Sequence, residues 1–255
     1  VPSEASHSGD RDCPGGESRR IHGKLNGFGA AVINVGELLP MDESLLEQLR
    51  EIAEARLLGA DPAHDFSHVT RVTTMARRIA LFERACLEIV IPAALLHELF
   101  NHPKGHPQSH LSGEICARHA ERALRDVGYP DHWIDPICDC IATHPFSGGA
   151  QPTTLEGKIL QDADRLDAIG AIGIARLFAT SALMSTPFYS DVDAFCQARA
   201  PDDKRFAIDH FFRKLLRIPD GLHTETARAM AGDRVSIMNQ FLEQLGREIK
   251  PGGPQ

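Results

Sequence analysis

His68, the pair His97-Glu98 and the acidic run Asp162-Ala-Asp164, with Asp167 three residues further on, are the side chains in this sequence best suited to holding a metal ion. Imidazole nitrogens and carboxylate oxygens are the ligands that divalent cations accept, and separate helices can each supply one toward the interior of a bundle. His64 stands four residues before His68, so both can face one side of a helix. A lone histidine is more often structural, but His97 and the carboxylates here complete a ligand set. Asp65 is the natural partner or helix cap beside them. On a helix of 3.6 residues per turn, Asp164 and Asp167 share a face while Asp162 points elsewhere. That spacing assigns Asp164 to metal, Asp167 to catalysis or substrate, and Asp162 to a cation on a neighbouring helix. Three carboxylates in so short a run, followed by apolar Ala-Ile-Gly-Ala-Ile-Gly, would be costly to bury with no cation nearby. A solvated acidic face is the alternative.

Glu98 has three open roles. Its oxygens reach about an ångström beyond those of an aspartate, against metal–ligand distances of about 2 Å. It could bridge two cations, bind one, or serve as a general base through water; an exposed acid at a helix end is the plain alternative. After it, the segment 101–110 carries His102, Lys104, His106 and His110, and His144 closes a later helix. Lys104 could meet a phosphate as a point charge. Taken singly, each of these histidines reads as a surface residue.

The elements that must position these groups are helices. Asp42 can cap a helix with the apolar stripe Leu45, Leu46, Leu49, Ile52 and Ala53. After the punctuation at 59–62, a second helix carries His68, Val72, Met75 and Ile79. A third, very apolar one opens near Pro92 and delivers His97 and Glu98 at its end. Two prolines forbid a helix across 101–110, and helices resume over 112–127 and 131–143. A long helix begins near Thr153-Thr154, with Glu156 as a partial capping box, and runs on through Gly170 and Gly173, which suggest close approach of a neighbouring backbone. An irregular excursion over 185–203 precedes helices over 204–217 and 223–249. No β-period segment appears, so the fold class is all-α. Domain limits are placed at 1–40 (a partly disordered extension, rich in Ser, Gly and Pro over residues 1–20), 41–250 (the helical domain) and 251–255 (a tail).

With 42% hydrophobic and 24% charged residues, the chain of 255 residues has the composition of a globular protein with a full core. A formal net charge of −8 gives no global basic field for nucleic acid or anionic membrane. The apolar runs are too short to span a bilayer and no basic-then-apolar leader opens the sequence, so a cytoplasmic location is expected. The six cysteines are scattered and read as buried free thiols of a reducing compartment.

The pattern His68…His97-Glu98…Asp164 resembles the HD-domain superfamily of metal-dependent phosphohydrolases, and more narrowly its bacterial YedJ/YpgQ-like branch. The resemblance runs from about Leu45 to Ile249. It is carried by HDFSHVTRV (64–72), AALLHE (93–98), NHPKGHP (101–107), TLEGKILQDADRLDAIGAIGIAR (154–176) and DDKRFAIDHFFRKLL (202–216). It implies an all-α helical bundle with a divalent metal ion (Mn, Ni, Fe, Zn or Mg) at its centre, cleaving phosphoester or phosphoanhydride bonds, often in nucleotides. By position, His68, His97, Glu98 and Asp164 would hold the metal. Asp167 would lie beside the substrate, with Glu98 or Asp167 taking a proton from water. Lys104, Arg165 and His144 would meet the phosphorylated substrate or form ion pairs. The sequence departs from the family pattern in two places: His-Glu stands for His-Asp, and Pro145 for the serine that follows the later histidine. The implied partner is a small phosphorylated molecule, with a homodimer allowed. A di-iron oxygenase drawing on the extra histidines, and a nucleotide or metal sensor with a degenerate site, are the competing readings.

Overall fold

The computed structural model describes residues 42–59, 65–102, 106–145 and 151–249. The extension 1–40, His64, Lys104 and the tail 251–255 lie outside the described residues.

The most apolar segment becomes the centre of the bundle. Helix α3 (Leu87–Leu96) has Glu88 as its polar residue and buries Leu87 and every position from Ile89 to Leu96, as expected of a helix apolar on all sides. Around it pack α2 (Phe66–Glu83), α5 (Asp131–Thr143) and α6 (Leu155–Asp167), with α1 (Glu43–Arg56) against α3 and α4 (Ser112–Asp126) against α5. Helix α7 (Gly170–Leu183) lies on the long C-terminal helix α9 (Glu225–Ile249), which also touches α2 and α6. Among the described residues there is no strand, and no single helix is long and apolar enough to cross a membrane.

Local signals set several of the boundaries. Asp42 caps α1 by accepting from the amides of Ser44 and Leu45. Asp65 caps α2 through the His68 amide at 3.0 Å, and Thr154 caps α6 through the Gly157 amide at 3.1 Å. Glu156 does not close a capping box. Its Oε1 accepts from the Cys86 amide at 3.1 Å, so it ties the start of α3 to α6. Pro92 inside α3 has no amide to give the Glu88 carbonyl, and the Tyr129 hydroxyl donates to that oxygen at 2.8 Å. Tyr129→Phe is therefore expected to cost about 1–3 kcal/mol, read as a lower urea midpoint with an unchanged slope.

Two expectations about helices are corrected. The helix starting near Thr154 does not continue through Gly173. It stops at Asp167, and α7 restarts at Gly170 with a bend of 66°. Gly170 takes φ +77°, a left-handed conformation that costs glycine little, and a Cβ there would sit 3.0 Å from the Arg234 side chain. At Gly173 a Cβ would come within 2.2 Å of the Ala168 carbonyl oxygen, so the close approach is to the chain's own preceding turn. The helix expected over 204–217 is instead the short α8 (Asp209–Arg213) followed by a 3-10 segment, Leu215–Gly221. Buried Asp209 explains the interruption: it accepts from Arg199 Nη2 at 2.7 Å and from the Asp202 amide at 2.6 Å, pulling the preceding chain out of helical register.

The described cysteines are free thiols; Cys86, Cys116 and Cys140 are buried, while Cys138 and Cys196 are half-buried.

Candidate metal centre and its pocket

Helices α2, α3 and α6 converge on one point. His68, in the first turn of α2, is completely buried. His97 caps the C-terminal end of α3, and Asp164 lies in the last turn of α6. His68 Nε2 stands 3.3 Å from His97 Nε2 and 3.4 Å from Asp164 Oδ1. Ligand atoms of these three residues all lie within 4.8 Å of one another. Two donors about 2.1 Å from a tetrahedral cation stand about 3.4 Å apart, which is the spacing His68 keeps to both neighbours.

The protonation pattern points the same way. His97 Nδ1 sits 2.7 Å from the Ala94 carbonyl, so that nitrogen must carry the proton and donate. Burial, then the neighbouring His144 and His68, lowers the His97 pKa to about 3, which keeps the ring neutral. On His68, Nδ1 meets the Asp167 carboxylate at 2.8 Å and donates to it. Arg176 Nη1 also lies 3.4 Å from that nitrogen, but the shorter contact to an acceptor decides the tautomer. With each Nδ1 turned outward to an acceptor, the two Nε2 atoms face each other across 3.3 Å, where a cation would find both. The donor set of two imidazoles and a carboxylate fits a divalent transition metal.

Asp164 and Asp167, three residues apart on α6, address the two nitrogens of the same ring. Burial opposes the charge on Asp164, but His68, His97, His144 and Arg176 outweigh it and hold its pKa below the usual range. Asp167 is buried and fully engaged. Besides His68 it accepts from Arg71 Nε at 2.7 Å and Nη2 at 3.0 Å, and from Arg176 Nη1 at 2.7 Å. These hydrogen bonds overcome its burial and push its pKa well below the usual carboxylate range. Sequence spacing correctly put Asp164 and Asp167 on one face, yet Asp167 points to the outer nitrogen of His68 and does not line the neighbouring cavity. Asp162, expected to pair with a cation, instead accepts from the amides of His223 and Thr224 and from the Thr224 hydroxyl. It anchors the start of α9, and its carboxylate is satisfied by neutral donors.

Glu98 is buried, with Oε1 3.8 Å from His68 Nε2. It stands at the edge of the three residues whose ligand atoms all lie within 4.8 Å of one another. Burial pushes its pKa up to about 7, against the pull of His68, Arg176 and a hydrogen bond from Asn101. A cavity of about 250 Å³ opens beside it, lined by His97, Glu98, His144 and Asp164 together with Arg165, Arg176 and Lys214. His144 is oriented in the same way as His97. It follows the last residue of its helix, and its Nδ1 donates to the Ile141 carbonyl three residues back, at 2.6 Å. The two rings meet edge to face at 5.2 Å. Gln161 secures this end of α5 by donating to the Thr143 and His144 carbonyls while accepting from His223 Nε2 at 2.7 Å. Arg165 reaches the Gly221 carbonyl and also lines the cavity. Pro145 is part of the wall, whereas His102, His106 and His110 are not.

Arg71, Arg176 and Lys214 stand at this site without having been singled out from the sequence. Arg71 follows His68 by three residues, so helical spacing could have found it. Arg176 returns to Asp167 only because the chain turns at Gly170, and Lys214 comes from an irregular segment, so neither had a periodic signal.

An HD domain family model matches residues 65–169. The Bacillus subtilis protein YpgQ is 36% identical over 210 residues, a match covering 81% of this chain and 94% of YpgQ. The structure of B. subtilis YpgQ in complex with ADP is similar at a TM-score of 0.65 and 35% identity, covering 82% of this chain and 97% of that one. That of an HD-superfamily hydrolase from Bacillus thuringiensis is similar at a TM-score of 0.65 and 28% identity, covering 82% and 98%.

Proposed function

Since the chain belongs to the HD-domain family, we propose that it is a metal-dependent phosphohydrolase cleaving a phosphoester or phosphoanhydride bond of a nucleotide or small phosphorylated metabolite. The observation that carries this reading is the meeting of two imidazole nitrogens and a carboxylate at the wall of a cavity that also holds Arg165, Arg176 and Lys214. ADP in the YpgQ structure supports a nucleotide as the phosphorylated partner.

His68, His97 and Asp164 would hold the metal. A divalent cation supplies Lewis acidity toward a phosphoryl oxygen and lowers the pKa of water to near neutrality. Asp167 keeps the His68 proton on Nδ1 and so aims Nε2 inward, a positioning role shared with the Ala94 carbonyl at His97. Glu98 lines the cavity next to the ligand group, where its Oε1 accepts the proton of the attacking water. Arg165, Arg176 and Lys214 bind the phosphate chain and offset the protein's overall negative charge, with the guanidinium groups suited to two-pronged contact. His144, neutral because burial lowers its pKa, offers Nε2 to the substrate or its leaving group.

Metal analysis by plasma mass spectrometry, followed by phosphate- and pyrophosphate-release screens on nucleoside mono-, di- and triphosphates, tests the proposal. A transition metal bound per chain and release from at least one substrate are expected. Metal without any release would favour the sensor, and iron with oxygen consumption would favour the oxygenase. Glu98→Asp is expected to retain metal and turnover, whereas Glu98→Gln is expected to retain metal and lose about 100-fold or more in kcat. Metal loss in Glu98→Gln would make Glu98 a ligand.

A further inference from the structure

A second cavity, of about 240 Å³, is lined by Ile52 and Arg56 of α1, by Leu99, and by His119 and Arg122 of α4. Its chemistry differs from that of the surrounding surface. On this protein of net charge −8, neighbouring arginines are paired: Arg50 with Glu47 and Glu54, and Arg125 with Glu121 and Asp131. Arg56, Arg118 and Arg122 have no ion pair among the described residues. Arg56 is instead pinned by its Nε, which donates to the Leu99 carbonyl at 3.1 Å and leaves the end of the guanidinium available. His119 stacks on Phe100 with ring centroids 5.8 Å apart. After partial burial, the fields of Arg56, Arg122 and Arg118 push the His119 pKa down. Asp126 is the opposing carboxylate at the rim.

We propose that this groove between α1 and α4 is a binding site for a phosphate group, separate from the metal-bearing cavity, with Arg56, Arg122 and His119 as its donors. Arginine forks match phosphate oxygens, and a local cationic recess on an acidic protein concentrates small anions there. A divalent phosphate meets two guanidiniums, a ring nitrogen and one carboxylate, so attraction prevails. Leu99 lines this groove and Phe100 lines the metal-bearing cavity. A ligand here therefore bears on the turn that follows His97 and Glu98.

The test is an NMR titration of the full-length protein with inorganic phosphate, following the His119 side-chain resonances assigned through His119→Gln. Potassium chloride at matched ionic strength is the control. A saturable His119 response to phosphate is expected, weakened roughly tenfold or more in Arg122→Glu, as for loss of a charge-assisted contact. The response should persist in His97→Ala, which separates this site from the metal-bearing cavity and from the fate of the phosphohydrolase reading. Repeating the titration with a nucleoside monophosphate identifies the source. Tighter binding than phosphate assigns the site to a nucleotide, and equal binding assigns it to free phosphate. A non-saturating response, one matched by chloride, or one unchanged in Arg122→Glu would overturn the proposal.

Discussion

His97→Ala is expected to abolish metal uptake and, with it, turnover. The ring supplies one of three donors, and its Nε2 faces His68 Nε2 at 3.3 Å. Alanine leaves His68 and Asp164 as a two-ligand set with a cavity where the ring stood. Loss of a group that merely orients a ligand typically weakens metal affinity about 10–100-fold, so loss of the ligand itself should exceed that range. Metal content per chain and phosphate release, measured on wild type and variant, give the result. Full metal content in His97→Ala would mean that the centre lies elsewhere.

Asp167→Asn is expected to damage both stability and metal affinity. The carboxylate receives His68, Arg71 and Arg176 together, and a neutral amide would leave two guanidiniums facing a partner that is itself half donor. Breaking a buried ion pair costs about 3–5 kcal/mol. The lower end applies here, because the Arg71 side chain is 33% exposed. His68 would also lose the acceptor that fixes its tautomer, weakening metal binding by about 10–100-fold. Urea unfolding of the metal-free variant and a separate metal titration measure the two effects. If kcat alone fell, with stability and metal binding intact, Asp167 would act on the substrate, as sequence spacing had suggested.

What was legible in the sequence follows from periodicity. The all-apolar run before His97 announced a buried helix, and the caps Asp42, Asp65 and Thr154 marked three helix starts. Asp164 and Asp167 were recognisable as facing the same way because helical spacing is local. The break after Asp167 was not legible. Ile-Gly-Ala-Ile-Gly continues a helical pattern on paper, and what ends the helix is a left-handed Gly170 packed on Arg234 of a distant helix. With the break went any view of Arg176 reaching back to Asp167. Asp162 misled for the same reason: a buried carboxylate suggests a cation, yet backbone amides from residues 223 and 224 satisfy it.

His97 and His144 share a local device, each ring tied through Nδ1 to the carbonyl three residues earlier at the end of its own helix. The aim of each imidazole is therefore written into a single helical turn, and incoming metal or substrate meets rings that have already surrendered their rotational freedom. Little rotamer entropy remains to be lost on loading. Paired structures with and without metal should accordingly show these two rings in the same rotamers, with any rearrangement confined to Glu98 and the surrounding arginines.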